Sequence, residues 1–323
     1  MTKIKWNNKV KLILSDVDET VADVYVKATD KMITELTSVL EDNIILFFIT
    51  GQGLRGIQWR ITDNIPKPLC KYILFGHCSG AEVWGHDQNG DLLKTPFYSI
   101  YENTLTKFQK KSWRDLVKKI IKEFSLKIYP TMPIPQFIEN YGSDPLNIMY
   151  EDRGPQITLE VVNGYNLSQG EIMGMHKKIP ETHSNYDLRI PINERANYLF
   201  EKYNIPITSR LAGIFAIDFA VKGVSKTTAV KHVLNDKNIL KNFGLNRDII
   251  NNSKYIEVWG DKFSALRGGT DRHMSEAVAK EVRSIDFRIE DPAEFPPGHN
   301  IVLWDGDKHL HEGLLEYLKS RSA

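Results

Sequence analysis

The most informative segment of this 323-residue sequence is an apolar run that ends in acids, Lys11-Leu12-Ile13-Leu14-Ser15-Asp16-Val17-Asp18-Glu19-Thr20. Its apolar half stops abruptly at Asp16, as a strand buried on both faces of a parallel sheet does. Ligands of such sheets bind outside the carboxyl ends of the strands, so Asp16 and Asp18 are predicted to face a substrate. One carboxylate can attack or hold a metal while the other moves a proton. A turn whose Asp and Thr side chains cap a following helix explains the segment equally well.

Further apolar runs end in the same way. The run at 44–49 stops at Thr50-Gly51, and the run at 72–75 stops at Gly76. The run at 255–259 stops at Gly260-Asp261, and the run at 300–304 stops at Asp305. Helical patterns lie at 28–40, 225–234 and 272–282. This alternation of strands and helices predicts the α/β class with a doubly wound parallel sheet.

The middle of the chain has a different pattern. Helical spacing at 103–124 is followed by strand-like segments at 146–151 and 156–162, helical ones at 169–177 and 194–203, and strand-like ones at 207–211 and 214–221. The pattern predicts an α+β domain at 97–212, inserted into a core formed by 1–96 and 213–323. A chain of this length is expected to hold about two domains.

Residues at other strand ends and helix starts carry groups suited to one site. Thr50 offers a hydroxyl and Gly51 a backbone N–H, and both can bind a phosphoryl oxygen. Lys226 opens a predicted helix, where its charge and the helix N-terminus favour an anion. Asp261 adds a carboxylate suited to Mg²⁺, which prefers oxygen ligands. Each residue alone has an ordinary explanation, but their order along the chain indicates a shared site.

In this order the residues resemble the motifs of the haloacid-dehalogenase-like phosphohydrolase superfamily. The first motif corresponds to Asp16, Asp18 and Thr20, the second to Thr50, the third to Lys226, and the fourth to Asp261 with Asp271. The resemblance covers about 1–95 and 213–285 and implies a Rossmann-like core. The segment inserted between the second and third motifs resembles a type-2 cap, of the kind found in phosphomannomutases and sugar-phosphate phosphatases.

The resemblance also implies roles for these residues. Asp16 is the expected nucleophile, Asp18 the general acid and then base, and Thr50, Gly51 and Lys226 contact the phosphoryl group. A Mg²⁺ ion is expected at Asp16, Asp18, Asp261 and Asp271. The expected activity is phosphomonoester hydrolysis, with a sugar phosphate or similar small phosphorylated metabolite as the partner. A phosphohexomutase is the alternative enzyme. A catalytically silent phospho-ligand binder is disfavoured, because the nucleophile, acid, lysine and metal carboxylate are all retained.

The sequence also departs from the superfamily pattern. Glu19 stands where Gly is usual, so a side chain enters a normally bare position, although its backbone N–H is still expected to face phosphate. Thr270 replaces a usual Asn. In the predicted insertion, Arg153 follows one strand and precedes another, in a segment that resembles the cap of bacterial relatives. Its guanidinium either grips a substrate oxygen bidentately or is a solvated arginine of a hairpin turn.

Composition excludes several classes of protein. With 42 Lys+Arg against 41 Asp+Glu, the net charge of +1 provides no general attraction for nucleic acid or anionic membrane. The two cysteines, Cys70 and Cys78, are predicted to be buried thiols, which fit a reducing compartment. The apolar run at 44–49 is far shorter than a membrane span, and the first residues lack a secretory signal. These features predict a cytoplasmic protein without nucleic-acid or membrane partners.

Overall fold

The computed structural model describes residues 4–163, 187–213 and 215–322. The chain divides into two compact units. The core unit comprises Met1–Ser99 and Ser225–Ala323, and the inserted unit comprises Ile100–Val224. Each unit is built on its own β-sheet.

The strands, in chain order, are β1 (Leu12–Ser15), β2 (Ile45–Ile49), β3 (Ile73–His77), β4 (Glu82–Gly85), β5 (Tyr98–Ser99), β6 (Lys127–Tyr129), β7 (Asn147–Asp152), β8 (Gln156–Glu160), β9 (Ile207–Ala212), β10 (Ala216–Val221), β11 (Ile256–Gly260), β12 (Arg283–Asp286) and β13 (Ile301–Leu303). The α-helices are α1 (Asp30–Glu41), α2 (Leu54–Arg60), α3 (Ile100–Thr104), α4 (Lys107–Glu123), α5 (Ile134–Tyr141), α6 (Arg189–Lys202), α7 (Lys226–Asn235), α8 (Lys237–Asn242), α9 (Arg247–Ile250), α10 (Arg272–Ser275) and α11 (Leu310–Lys319). Among the described residues, none of these helices has the length and apolar character needed to cross a membrane.

The sheet of the core unit has the order β13-β12-β11-β1-β2-β3-β4-β5. Neighbouring strands are parallel from β13 to β3, and β4 and β5 extend the sheet in antiparallel fashion. Because β1 pairs with both β2 and β11, the strand order reverses at β1. Such a reversal opens a crevice at the carboxyl ends of the strands, where ligands bind in α/β folds, and Asp16 directly follows β1.

Side chains of β1 alternate between two apolar clusters on opposite faces of this sheet. Ile13 belongs to the cluster that includes Leu36 of α1 and Leu314 of α11. Leu14 belongs to the cluster that includes Val230 of α7. All of β1 is buried, which explains why Leu12, Ile13 and Leu14 form an unbroken apolar run instead of alternating with polar residues. Helices on both faces confirm the predicted doubly wound α/β core.

The sheet of the inserted unit has the order β6-β7-β8-β10-β9. Its strands are antiparallel except for the β6–β7 pair. α4 begins at a capping box, in which Thr106 and Gln109 bond each other's backbone N–H groups. Phe200 of α6 contacts Phe219 of β10 edge to face, with ring centroids 5.9 Å apart. The unit therefore has the α+β character that its sequence predicts.

The structure differs from the sequence prediction at a domain boundary and at a helix end. The predicted second boundary, at 212, falls at the last residue of β9, whereas the inserted unit extends to Val224, because β10 pairs with both β8 and β9. The helix predicted at 272–282 ends at Ser275, because the chain must turn to enter β12 at Arg283. The helix predicted at 169–177 lies outside the described residues. Cys70 and Cys78 are both buried, as predicted.

Candidate active site

The predicted site residues of the core unit meet at the carboxyl edge of its sheet. Asp16 follows β1, and its N–H donates to the carbonyl oxygen of Trp259 in β11 at 3.0 Å. Thr50 follows β2, and its N–H donates to the carbonyl oxygen of Gly76 in β3 at 3.0 Å. Asp261 follows β11 directly. Because β11, β1 and β2 are adjacent and parallel, these side chains leave the sheet at one edge, with Gly51 next to Thr50.

Lys226 enters the same site from the start of α7. Ser225 caps this helix by accepting a hydrogen bond from the Thr228 N–H at 3.1 Å. The Lys226 Nζ lies 2.5 Å from Asp16 Oδ1 and 2.7 Å from Asp271 Oδ1. Burial alone would lower the pKa of Lys226, but these two carboxylates raise it above its usual value. The ammonium group is therefore held charged beside Asp16.

Three buried carboxylates lie close together around this lysine. Asp16, Asp261 and Asp271 each offer an oxygen atom, and these atoms lie within 4.8 Å of one another. Burial raises the pKa of Asp16 well above its usual value; Lys226 opposes the shift, and Asp271 and Asp261 add to it. Carboxylate oxygens gathered at this spacing are suited to a hard divalent cation such as Mg²⁺. The donor set therefore fits the predicted metal.

Asp271 and Asp261 have different surroundings within this cluster. Asp271 Oδ2 accepts the N–H groups of Asp261 and Lys262 at 2.9 and 3.0 Å, while its Oδ1 accepts from Lys226. Both of its oxygens are thus used to hold the loop and the lysine. Asp261 Oδ1 accepts the hydroxyl of Thr20 at 3.1 Å, which orients Asp261 at the end of β11. Asp271 therefore holds Lys226 and the backbone of Asp261 and Lys262 in place.

Asp18 lies beside this cluster and is held through both of its oxygens. Thr50 Oγ1 donates to Asp18 Oδ2 at 2.8 Å, and Arg60 Nη1 donates to Asp18 Oδ1 at 2.6 Å. Burial alone would raise the pKa of Asp18, but the Arg60 charge and these hydrogen bonds lower it below its usual value. The Thr50 hydroxyl, which we expected to contact phosphate, donates its proton to Asp18 in this structure.

The backbone conformation and the side-chain contacts of Glu19 were not predicted from the sequence. Its backbone is in the left-handed region, with φ of 65°, and its N–H donates to the carbonyl of Ala22 at 2.8 Å. The expectation that this N–H faces phosphate is therefore wrong here, because the tight turn uses it internally. The Glu19 side chain accepts from Lys262 at 2.9 Å and from Arg288. Arg288 also contacts Asp261 Oδ2 at 2.7 Å, so it links the two acids.

The loop after β11, which carries two of the site carboxylates, is fastened to the loop after β12. Glu290 Oε2 accepts the N–H groups of Phe263 and Ser264 at 2.5 and 2.8 Å. Asp286 accepts the N–H groups of Arg288 and Glu290 at 2.9 and 2.6 Å. Burial raises the pKa of Asp286 to about 7. These bonds fix a long irregular loop at the site.

Arg153 lies in the inserted unit, in the turn between β7 and β8 as predicted. Its N–H donates to the carbonyl of Gln156 at 2.8 Å, and its guanidinium donates to Glu151 at 2.7 Å. The Arg153 side chain is only 3% exposed, so the interpretation as a solvated arginine is wrong. Arg114 holds the same turn by donating to both oxygens of Asp152, at 2.7 and 2.9 Å, and to the carbonyl of Gly154.

Three further charged residues at the site were not predicted from the sequence: Arg60, Lys262 and Arg288. Arg60 had a detectable signal, because it lies on the same face of α2 as the apolar Ile57, and a charge on an apolar helix face calls for a partner. Arg288 follows β12, a strand that was not predicted from the sequence. Lys262 is adjacent to Asp261, but nothing in its spacing indicates a contact with Glu19.

Comparison with known proteins identifies the fold. A haloacid dehalogenase-like hydrolase from Bacteroides thetaiotaomicron is 14% identical, covers 96% of this chain and 99% of its own, and has a TM-score of 0.57. The C-terminal domain of C. albicans trehalose-6-phosphate phosphatase is 13% identical over 98% and 94% of the two chains, with a TM-score of 0.56. A Streptococcus mutans protein is 15% identical over 97% and 99%, with a TM-score of 0.51.

The chain therefore has the haloacid-dehalogenase-like fold, which confirms the fold predicted from its motifs. At these low identities the likeness establishes the fold alone. The comparison with protein-family models found no match, and neither did that with curated proteins.

Proposed function

We propose that the protein is a Mg²⁺-dependent phosphomonoester hydrolase that acts through an aspartyl-phosphate on a sugar phosphate or similar small metabolite. One observation carries the proposal: Asp16 lies 2.5 Å from a charged lysine, within a cluster of three buried carboxylates at the carboxyl edge of the sheet. Repulsion among these carboxylates destabilises the fold; Lys226 offsets it in part, and a bound divalent cation would offset it further. A trehalose-6-phosphate phosphatase among the similar structures supports a sugar phosphate as the substrate class.

Asp16 and Asp261, with the backbone carbonyl of Asp18, would hold the Mg²⁺ ion, and Asp271 would orient this set. When bound, the ion supplies positive charge that offsets the charge of the phosphoryl oxygens. Lys226 contributes a fixed positive charge at the same place, and it is positioned before substrate arrives, as electrostatic stabilisation requires.

In the first half-reaction, a carboxylate oxygen of Asp16 attacks phosphorus in line. The bond between phosphorus and the ester oxygen breaks, and its electron pair passes to the ester oxygen, which takes a proton from Asp18. Asp18 enters this step protonated, because the negative phosphoryl group that arrives beside it raises its pKa against the effect of Arg60. The products are the free alcohol and the phosphorylated Asp16. Lys226, in contact with Asp16, compensates the charge on the transferring group.

In the second half-reaction, water attacks phosphorus and gives a proton to Asp18, which restores the acid. The bond between phosphorus and the Asp16 oxygen breaks, and inorganic phosphate is released. Thr50 contacts Asp18 at 2.8 Å, so it helps to hold the group that transfers a proton in both half-reactions.

The proposal extends to substrate recognition by the inserted unit, as a cap of the type-2 kind. Arg153 is its candidate contact, because a buried arginine in a tight turn presents donors in a fixed orientation. The turn is held by Arg114 through Asp152 and Gly154, which keeps the Arg153 backbone in place.

The test is phosphate release from a panel of sugar phosphates and an aryl phosphate, in Mg²⁺ and in chelator, with Asp16→Asn as the inactive control. We expect inorganic phosphate to accumulate in proportion to substrate consumed, only with metal and without added bisphosphate. Positional isomers of the sugar phosphate with almost no free phosphate would instead support the phosphohexomutase. Binding of sugar phosphates without any turnover would support the catalytically silent binder.

A further inference from the structure

Arg60, the last residue of α2, is a buried and extensively hydrogen-bonded charge at the edge of the site. Its side chain is 2% exposed. Burying a guanidinium requires a counter-charge and partners for its N–H groups. Nε donates to the carbonyl of Val26 at 2.8 Å, and Nη2 donates to those of Ala22 and Asp23 at 3.2 and 2.6 Å. Nη1 donates to Asp18 Oδ1 at 2.6 Å.

These bonds connect the carboxylate of Asp18 to the backbone segment that follows it. The segment at 22–26 is irregular and contains Tyr25 at a φ of 59°. Three of its carbonyls are held by one guanidinium, so its path depends on Arg60. Asp18 is anchored by the same group, and its side chain remains 19% exposed, which leaves it accessible to a substrate.

Arg60 and Thr50 divide the two oxygens of Asp18 between them. Arg60 takes Oδ1, and Thr50 takes Oδ2 through a hydroxyl that can either donate or accept. A guanidinium can only donate and is positively charged, so a proton on Oδ1 is disfavoured while Arg60 is bound to it. Oδ2 is the oxygen left to carry the proton.

We infer that Arg60 is a positioning residue that fixes Asp18 so that its Oδ2 delivers the proton to the leaving oxygen of the substrate. This inference rests on the proposed function. The hydrogen bonds of the Arg60 side chain go to Asp18 and to three backbone carbonyls, and not to Asp16 or Asp261. Its effect on the reaction passes through Asp18, and this sets it apart from Lys226.

Leaving groups of different basicity test the inference. An alkoxide leaving group needs a proton, whereas 4-nitrophenolate departs without one. The value of kcat/KM reports the steps up to departure of the leaving group. Proton donation by Asp18 therefore affects kcat/KM for an alkyl phosphate but not for 4-nitrophenyl phosphate. For Arg60→Met we expect kcat/KM to fall roughly 100-fold with the best hexose phosphate, but less than about threefold with 4-nitrophenyl phosphate. Asp18→Asn should show the same split. The double variant should be no worse than Asp18→Asn alone.

Arg55→Met is the matched control, because Arg55 is exposed on the same helix, and it should leave both substrates unaffected. Should Arg60→Met fold poorly, as judged by its melting temperature, Arg60→Lys serves instead. It keeps a charge but cannot donate to Asp18 and three carbonyls together, so the same split is expected.

Equal losses on both substrates, or losses that multiply in the double variant, would overturn the inference while leaving the proposed function intact. A wild-type protein that releases phosphate from neither substrate would overturn the proposed function and this inference with it.

Discussion

Acids outnumber the bases that pair with them at the site of the core unit, where Lys226 is shared by Asp16 and Asp271, but not in the arginine pairs of the inserted unit. At the sheet edge of the core unit, three buried carboxylates lie within 4.8 Å of one another. In the inserted unit, buried or half-buried arginines are matched with acids, as in the pairs Arg153–Glu151, Arg114–Asp152 and Arg189–Asp187.

This difference separates charges that stabilise a fold from charges that serve chemistry. In a matched pair, the attraction between the two charges offsets the free-energy cost of removing them from water, and removing one partner destabilises the protein. Crowded carboxylates raise the free energy of the folded state; Lys226 and Arg288 offset part of this cost, and a divalent cation would offset more. The crowded edge is therefore where a cation is expected, whereas the matched pairs of the inserted unit hold its turns and helices.

Replacing Asp16 by Asn should produce the largest loss of activity. If it does not, the crowded carboxylates of the core unit do not serve catalysis. Asn keeps the volume but cannot attack phosphorus, so kcat should fall by more than the roughly 10²–10⁴-fold lost with a general acid or base. Because the change also relieves carboxylate crowding, the melting temperature should not fall. The measurement is steady-state kinetics with thermal melting, and Asp63→Asn, an exposed acid of the core unit, is the control. Near wild-type hydrolysis of an aryl phosphate would disprove the nucleophile assignment.

Mg²⁺ should stabilise the wild-type protein by relieving the crowding. At 100-fold excess over its dissociation constant, a ligand that binds only the folded state adds about 2.7 kcal/mol. We expect Mg²⁺ to raise the melting temperature relative to chelator, and Asp261→Asn to lose most of this shift. Asp307→Asn, an exposed acid after β13, should keep it. Equal shifts in both variants would place the cation elsewhere.

Replacing Arg153 by Ala tests whether a matched pair of the inserted unit also binds substrate. A charged hydrogen bond contributes ~1.5–3 kcal/mol, so kcat/KM for the specific sugar phosphate should fall roughly 10- to 150-fold, mainly through KM. A small aryl phosphate should be almost unaffected. Arg195→Ala, which breaks the Arg195–Glu123 pair of the same unit, is the control. Equal, negligible changes with both substrates would assign Arg153 to structure alone.

Replacing Arg114 by Met should give the smallest effect, and one on stability only. Its bonds to Asp152 and Gly154 are partly exposed, so we expect a loss of about 1–2 kcal/mol in the free energy of unfolding. Urea denaturation of Arg114→Met, Asp152→Asn and the double variant should show that the two losses are not additive. Hydrolysis of an aryl phosphate should be unchanged; a large loss of that activity would contradict the division between the two units.

The core site was largely predictable because its residues follow strands. Asp16, Thr50 and Asp261 each end an apolar run, and parallel pairing brings such ends to one edge. Lys226 was predictable from its place at a helix start. No side-chain geometry was needed for these inferences, only the order of the motifs.

The partners of these residues were harder to predict, because they come from elements whose register the sequence does not specify. Arg60 reaches Asp18 from the buried face of α2, and Arg288 reaches Asp261 from the loop after β12. The end of the inserted unit at Val224 was missed for a similar reason: the pairing of β10 with β8 cannot be deduced from the spacing of two strand-like segments.

The place of β1 in the sheet also has a consequence for how the chain is made. β2 is synthesised soon after β1, but β11, the other neighbour of β1, is synthesised much later. Thr20 and Asp261, which form a hydrogen bond between the segments that follow β1 and β11, are 241 residues apart. At ~5–20 residues per second, the ribosome leaves one side of β1 without its partner for roughly 10–50 s. During that time a strand that is central and buried in the finished sheet has an open edge with which other chains can pair. Protection of the nascent chain during synthesis should therefore affect its yield in a cell.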